Sequence, residues 1–233
     1  MSKRLEQFEN ESCALTCLTA PGLIAELAAL PDRSTQTVRR WRRAKSWCLG
    51  KSSGAEVLRL AKTILAAPEP LGRFVAYELV THHPAALRAL SARAVRNLAG
   101  RLASWGDTDM FGYYIAGPAW RLGRLNDAHV LDWTLSRDRW WRRAALVATV
   151  PLNVRAQGGT GDAPRTLRIC QALVGDRDPM VVKALSWALR ALVFHAREEV
   201  RDFLEANASQ LAALVRREVA SKLETGRKAR PRR

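Results

Sequence analysis

A short acidic segment that includes a tryptophan holds the residues best suited to chemistry. It runs from Ser104 to Phe111 with the sequence SWGDTDMF, at the start of a predicted helix. Asp107 fits the role of a helix cap, because aspartate oxygens accept hydrogen bonds from the free N–H groups of a first turn. Asp109 is then expected in that first turn, four residues after Trp105, so that their side chains share one helix face. A carboxylate and an indole face both attract positive charge, and the pair is therefore suited to stabilising a cation.

Two further segments interleave arginine with tryptophan. They are RRWRRAK at 39–45 and RDRWWRR at 137–143. Arginine binds phosphate and tryptophan can stack on a base, so such segments are suited to nucleic acid. The alternative interpretation is that each tryptophan is a core residue flanked by solvated charge, since aromatic side chains mostly fill cores.

The elements that must position these residues are helices. Apolar residues recur with helical spacing along almost the whole chain, and no segment shows the alternation of a strand. Capping residues stand where these helices should begin and end. The predicted caps are Ser53 (with Glu56 as a capping box), Ser91, Asp138, Asp178 and Gly226. The sequence therefore predicts an all-α fold.

The predicted helices repeat. The segment that starts at Asp138 resembles the one that starts at Asp178, forty residues later, and a weaker copy starts near Val215. Two helices every 34 to 40 residues is typical of HEAT-like repeats, which stack into a curved α-solenoid. A basic residue recurs at one place in each unit, and stacking is expected to bring these residues onto one face. They are Arg73, Arg143, Lys183 and Arg217. The alternative is that they are the solvated ends of ordinary helices.

The overall charge agrees with an anionic partner. The chain has 233 residues and a formal charge of +16, of which the last seven residues, RKARPRR, supply +5. The remaining +11 must be distributed over a folded surface, and nucleic acid is the first candidate to bind it. No apolar run is long enough for a membrane span, no secretory signal is evident, and four irregularly spaced cysteines indicate neither a disulfide framework nor a zinc module. We expect a soluble, cytoplasmic, nucleoid-associated protein without a metal or cofactor.

Three motifs in order carry a resemblance to a known family. They are Trp105-x-x-x-Asp109, then Trp140-Trp-Arg-Arg143-Ala-Ala, then Lys183-Ala-Leu-Ser-Trp187-x-x-Arg190. Together they resemble the AlkD-like DNA alkylation repair glycosylases, which are HEAT-like-repeat enzymes. The resemblance covers residues from about 55 to 223, and residues 1 to about 50 match poorly. It implies a single repeat domain over residues 1–226, followed by a basic tail at 227–233, and a protein that works as a monomer.

The resemblance also implies roles for individual residues. Asp109 matches the catalytic carboxylate, Trp105 and Trp187 the active-site tryptophans, and Arg143 an arginine that contacts phosphate. The family excises cationic N3- and N7-alkylated purines from double-stranded DNA without flipping the base into a pocket. No lysine stands in the matched motif as a nucleophile, so strand cleavage is not expected. The remaining residues expected to contact DNA are Trp41, Arg73, Met180, Lys183, Arg190 and Arg217.

Some features depart from the family pattern and leave alternatives open. Thr108 stands before the aspartate where an apolar residue is usual, and the glycine-rich loop from Asn153 to Pro164 is long. We interpret that loop as flexible, with Thr160 or Asp162 capping the next helix. One alternative function is a HEAT-repeat protein that binds distorted or branched DNA without excising a base. Another is a protein-interaction scaffold whose basic groove takes an acidic partner.

Overall fold

The computed structural model describes residues 18–228, and within them the chain is helical with no β-strand. The α-helices in the first part are α1 Ala20–Ala28, α2 Thr35–Cys48, α3 Gly54–Ala66, α4 Gly72–Thr81, α5 Pro84–Ala89 and α6 Ala92–Ala99. Those in the second part are α7 Trp105–Phe111, α8 Gly117–Arg121, α9 Asp127–Thr134, α10 Arg139–Thr149, α11 Ala163–Ala172, α12 Pro179–Leu192, α13 Arg197–Ala206 and α14 Ala213–Thr225. The all-α prediction is confirmed.

The described residues divide into two compact units, one up to residue 100 and one from residue 101. In the first unit, α3 packs against α1, α4, α5 and α6. Its apolar face reads Val57, Ala61 and Ile64, at helical spacing, and all three side chains are buried. Such spacing places one stripe of a helix against its neighbours and leaves the other side in solvent.

In the second unit, consecutive helices form pairs that stack in two layers. The helices α9, α11 and α13 neighbour one another in order, and so do their partners α10, α12 and α14. This is the packing that the predicted repeat requires of an α-solenoid. The helices α10 and α12 are the interior ones, because α10 is buried without interruption from Arg143 to Thr149 and α12 buries most of its length.

The helix ends lie at the predicted capping residues. Ser53 and Glu56 form a complete capping box, and Ser91 caps α6. Asp138 and Asp178 accept hydrogen bonds from the second residue of α10 and α12, at 2.9 and 2.8 Å. Gly226 ends α14 with φ of 70°, in the left-handed region that glycine adopts without a steric cost. These ends depend on local sequence, which explains why the sequence predicts them.

Candidate active site

The helix that carries the acidic segment begins three residues earlier than a cap at Asp107 predicts. Ser104 is its N-cap, and the Ser104 hydroxyl accepts a hydrogen bond from the Asp107 N–H at 3.1 Å. The Asp107 carboxylate in turn accepts from the Ser104 hydroxyl at 2.9 Å and from the Ala103 N–H at 3.3 Å. This reciprocal arrangement works as a capping box. Because α7 starts at Trp105, Asp109 lies in the second turn rather than the first, a correction to the prediction.

Asp109 is held by a guanidinium on both of its oxygens. The Arg143 Nε donates to one oxygen and Nη2 donates to the other, each at 2.7 Å. Nη1 of the same arginine donates to the main-chain carbonyl of Met180. The Asp109 side chain keeps 19% of its exposure, whereas the Arg143 side chain keeps 7%. The carboxylate is thus fixed in orientation by a buried arginine and still reaches the surface.

Contacts between the first two turns of α10 and the start of α12 fix the position of Arg143. Three basic residues in the first two turns of α10 each bond to the region where α12 begins. Arg139 pairs with Asp178 at 3.5 Å and Arg142 with Asp176 at 2.7 Å, while Arg143 bonds to the Met180 carbonyl. These contacts fix one stacked helix against the next. The arginine-rich segment at 137–143 therefore builds part of the protein interior and is not wholly a solvated face.

The two predicted active-site tryptophans have different surroundings. Trp105 is 61% exposed, which is unusual for so large an aromatic side chain. Trp187 is half-buried, and its ring stacks on that of Tyr113 with 6.2 Å between centroids and 18° between planes. Tyr114 in turn meets the Tyr113 ring edge-on at 5.1 Å. Tyr113 is a residue of this cluster that the sequence reasoning did not identify.

A π-helical segment carries Tyr113. It spans Gly112–Ala116, directly after α7, and the Gly117 N–H bonds to the Gly112 carbonyl five residues back. Pro118 follows, and it has no N–H to continue the α-helical ladder. A Cβ on Gly112 would stand 2.8 Å from the Val147 side chain, so only glycine allows α10 to approach this closely. Single-turn π segments are often found at functional sites.

Thr108 fits its buried position although an apolar residue is usual there. It is fully buried, and its hydroxyl donates to the Ser104 carbonyl one turn back, at 2.8 Å. A buried hydroxyl with a partner avoids the cost of an unsatisfied polar group. The departure at this position therefore leaves the neighbouring Asp109 undisturbed.

The recurring basic residues of the second unit occupy the same position in their helices but differ in burial. Arg143, Lys183 and Arg217 are each the fifth residue of α10, α12 and α14, which are neighbours. Lys183 and Arg217 are exposed, as a DNA-contacting stripe requires, whereas Arg143 is buried against Asp109. Three of the four residues predicted to form a row therefore share a register, and Arg143 among them has an internal partner.

Arg190 lies one turn after Trp187 and is half-buried. Its Nε donates to the Ser186 hydroxyl at 3.1 Å and lies 3.6 Å from the Glu218 carboxylate. Burial lowers the pKa of Arg190, against the opposing effect of Glu218. Burial by itself raises the pKa of Glu218, but hydrogen bonds from Ser186 and Lys228 outweigh it and lower the pKa. Arg190 therefore forms an ion pair with Glu218 on α14 in this structure, and its DNA contact stays a prediction.

In the first unit, Trp41 and Arg73 both have internal partners. The Trp41 indole N–H donates to Glu26 at 2.9 Å. One nitrogen of Arg73 donates to the Tyr77 hydroxyl at 2.7 Å and to the Ala99 carbonyl at 2.9 Å, where α6 ends. Both side chains therefore hold helices together, and a contact with DNA remains a prediction for each.

The glycine-rich loop is closely packed, contrary to the expectation of a flexible loop. A Cβ on Gly159 would stand 2.3 Å from the Pro151 carbonyl oxygen, and one on Gly161 would stand 2.7 Å from His195. The Asn153 carboxamide oxygen also accepts from the Asp162 N–H at 2.9 Å. Asp162 caps α11 by accepting from the Arg165 N–H at 3.0 Å, which confirms one of the two predicted caps.

Among residues 18–228, no helix is long and apolar enough to span a membrane. In the same range, no three histidine, cysteine, aspartate or glutamate side chains lie close enough together to hold a metal ion.

Comparison with known proteins gives one match. A family model described as DNA alkylation repair enzyme matches residues 31–223, which is most of the chain. The match reaches further toward the N-terminus than the resemblance seen from residue 55, and it includes α2. No curated protein and no solved structure gives a significant match.

Proposed function

Since the chain belongs to the DNA alkylation repair enzyme family, we propose that it is a DNA N-glycosylase. In this proposal it excises cationic N3- or N7-alkylated purines from double-stranded DNA, without cutting the strand and without a metal or cofactor. Asp109 is the catalytic residue, and Trp105, Trp187 and Arg143 complete the site.

The chemistry of the substrate explains why one carboxylate suffices. An alkylated purine such as 7-methylguanine already carries a positive charge, so its glycosidic bond is weak and the leaving base needs no protonation. When the bond from C1′ to nitrogen breaks, its electron pair goes to the base, which leaves neutral. The sugar becomes an oxocarbenium-like cation, and water then adds to C1′ and loses a proton. A carboxylate beside C1′ stabilises that cation and positions the water.

The observation that carries the proposal is the fixed orientation of Asp109. Both of its oxygens are bonded to Arg143, yet the carboxylate remains partly exposed on the same helix as the exposed Trp105. A preorganised carboxylate stabilises a developing cation without reorienting during the reaction, which is the main source of electrostatic catalysis. The one-turn spacing from Trp105 to Asp109 supports an indole face near the same positive charge.

Arg143 supports the proposal in two ways. An arginine has five N–H groups, and three of those on Arg143 bond to Asp109 and the Met180 carbonyl. Two more N–H groups remain, and in this proposal they donate to a DNA phosphate, the contact that the family resemblance implies. One guanidinium would then connect the catalytic carboxylate to the backbone of the lesion nucleotide and position the sugar.

The test is release of free base from alkylated duplex DNA. We expect wild-type protein to release N7- or N3-alkylpurines above the spontaneous rate of a blank without protein. Asp109→Asn should lower the release rate by about 100-fold or more, because the amide carries no charge to stabilise the cation. The abasic product strand should remain intact until it is treated with alkali.

The matched control is Asp132→Asn. Asp132 is an exposed carboxylate on α9 in the same unit, so this variant changes the net charge equally. It should release base at the wild-type rate. Salt-sensitive DNA binding without base release from small and bulky N3 and N7 adducts would favour a non-catalytic DNA-binding protein instead. Strand cleavage without alkali would contradict the monofunctional mechanism.

A further inference from the structure

The basic helix α2 has two faces with different partners. On its inner face, Arg39 and Arg42 bind the two oxygens of Glu78, at 2.9 and 3.1 Å, and Lys45 binds Glu26 at 2.7 Å. Arg42 and Lys45 are buried. Three of the five basic residues at 39–45 therefore help to fold the first unit, and the carboxylates of Glu78 and Glu26 offset two of their three charges.

The outer face of α2 presents a row of exposed side chains. Gln36, Arg40, Arg43 and Trp47 follow one another at intervals of four, three and four residues, and all four are exposed. This spacing keeps them on one side of a helix. Trp47 is 74% exposed, the most exposed tryptophan among residues 18–228. We call this row the α2 outer stripe.

The α2 outer stripe contains an arginine and a tryptophan without internal partners. Within residues 18–228, neither Arg43 nor Trp47 makes a hydrogen bond, ion pair or ring contact with another side chain. An unpartnered, exposed tryptophan beside arginines is costly to leave in water, and it is typical of a binding surface. Arg40 and Arg43 lie about 4.5 Å apart along the helix axis, from the rise of about 1.5 Å per residue. That separation allows both guanidinium groups to reach phosphates of one backbone.

We propose that the α2 outer stripe is a second DNA-contacting surface, which binds the sugar–phosphate backbone of duplex DNA. Arg40 and Arg43 bind phosphates, and the Trp47 indole packs against the intervening deoxyribose. The inference rests on DNA being the substrate, as in the proposed function. It adds Trp47 to Trp41, the aromatic residue expected to contact DNA on this helix, which is half-buried and bonded to Glu26. Duplex DNA is favoured over an acidic protein by the charge and linear spacing of the row.

The experiment measures binding of the full-length protein to undamaged duplex DNA across a series of salt concentrations. Replacing both Arg40 and Arg43 with glutamine should reduce the slope of log affinity against log salt by about 1.8, because each phosphate contact contributes about 0.9. Trp47→Ala should weaken binding by about tenfold while leaving the slope unchanged, because it removes an uncharged contact. Circular dichroism and thermal unfolding should match wild type, since these side chains are exposed.

Two matched controls separate the stripe from general charge and hydrophobicity. The double variant Arg59→Gln with Lys62→Gln removes the same charge from exposed positions on α3, and Leu135→Ala truncates a side chain that is 80% exposed. Both should bind DNA as wild type does.

An unchanged affinity and slope in the stripe variants would overturn the proposal, as would equal losses in the α3 control. A Trp47→Ala defect confined to single-stranded DNA would assign the surface to base stacking and would also overturn it. Because undamaged DNA is used, the result is independent of base release, which tests the proposed function separately.

Discussion

At the residue scale, the central finding is that Arg143 and Asp109 form one unit. The arginine uses Nε and Nη2 on the carboxylate, and this two-point contact fixes the carboxylate plane as well as its distance. Lysine could supply the charge, but it lacks the planar pair of N–H groups that binds both carboxylate oxygens. Arg143 is thus a positioning residue for Asp109 in this structure, in addition to its predicted phosphate contact.

A double-mutant cycle tests that unit through stability. Arg143→Ala should lower the free energy of unfolding by about 3 kcal/mol, because it leaves Asp109 partly buried without its partner. Combining it with Asp109→Ala should restore part of that loss, since no unpaired charge remains. The measurement is urea unfolding of wild type, both single variants and the double variant. Arg143→Ala combined with Asp132→Ala serves as the control and should be additive; additivity in the Asp109 cycle would contradict the coupling.

The limits of sequence reasoning are clearest at this same site. The sequence predicts Asp109, Trp105 and Arg143 as site residues, because their types and order carry the family resemblance. It does not predict that Arg143 pairs with Asp109, since the two lie 34 residues apart and an arginine serves a phosphate equally well. Tyr113 was missed for another reason. Its stacking on Trp187 depends on the π segment, whereas the spacing of apolar residues in the sequence predicts only an α-helix there.

At the element scale, the interior helices depend on capping carboxylates at their N-termini. Asp178 accepts from the Met180 N–H at 2.8 Å and lies 3.5 Å from Arg139 on the neighbouring helix. Burial alone raises the pKa of Asp178, but the bonds from Met180 and Arg139 outweigh it and lower the pKa below its ordinary value. The caps were predictable from sequence because they are local, whereas the contact with Arg139 depends on the stacking of α10 on α12.

The lowered pKa of Asp178 predicts how stability changes in acid. A carboxylate with a depressed folded pKa stabilises the protein fully above its unfolded pKa of about 4, and that contribution is lost as pH falls through the folded value. Asp178→Asn keeps the cap but cannot titrate. The stability difference between wild type and this variant should therefore be largest near neutral pH and shrink below about pH 4.

Urea unfolding from about pH 3 to pH 7 measures this difference. Asp178→Ser should behave as Asp178→Asn does, because serine also caps without a charge. Asp178→Ala should lose about a further 1 kcal/mol at every pH, because it removes the cap itself. A difference between wild type and Asp178→Asn that stays constant with pH would contradict the assignment.

At the scale of the whole molecule, several acidic residues pair with buried basic side chains, and other basic side chains are exposed at the surface. Carboxylates such as Glu78, Glu26 and Asp109 pair with buried or half-buried basic side chains. The exposed basic residues, among them Arg43, Lys183 and Arg217, then account for much of the excess of +16. Composition does not show which basic residues are buried and which are exposed, because this depends on which face of each helix is buried.

The basic C-terminal tail is expected to add affinity that is independent of lesion or sequence. Its structure from residue 229 lies outside the described residues, so the prediction rests on charge alone. Replacing Arg230, Arg232 and Arg233 with glutamine should reduce the salt slope for duplex binding by up to about 2.7. The rate of base release at saturating DNA should not change.

Fluorescence anisotropy with labelled duplex DNA over a potassium chloride series provides the slope. A variant with the order of the tail residues from 229 onward reversed keeps the charge and should behave as wild type does. A wild-type slope in the neutralised variant would show that the tail does not contact DNA.

The pairing of Asp109 with Arg143 also determines how the site acts at a distance. An isolated carboxylate would repel the phosphates of approaching DNA, but a carboxylate bonded to a guanidinium at 2.7 Å presents a dipole. The potential of a dipole falls with the square of distance, and physiological salt screens it further beyond about 8 Å. Asp109 therefore contributes little to the long-range electrostatic potential that approaching DNA meets. In the proposed function, the charge of Asp109 therefore acts mainly on atoms in contact with it, and the carboxylate adds little repulsion while the protein moves along DNA.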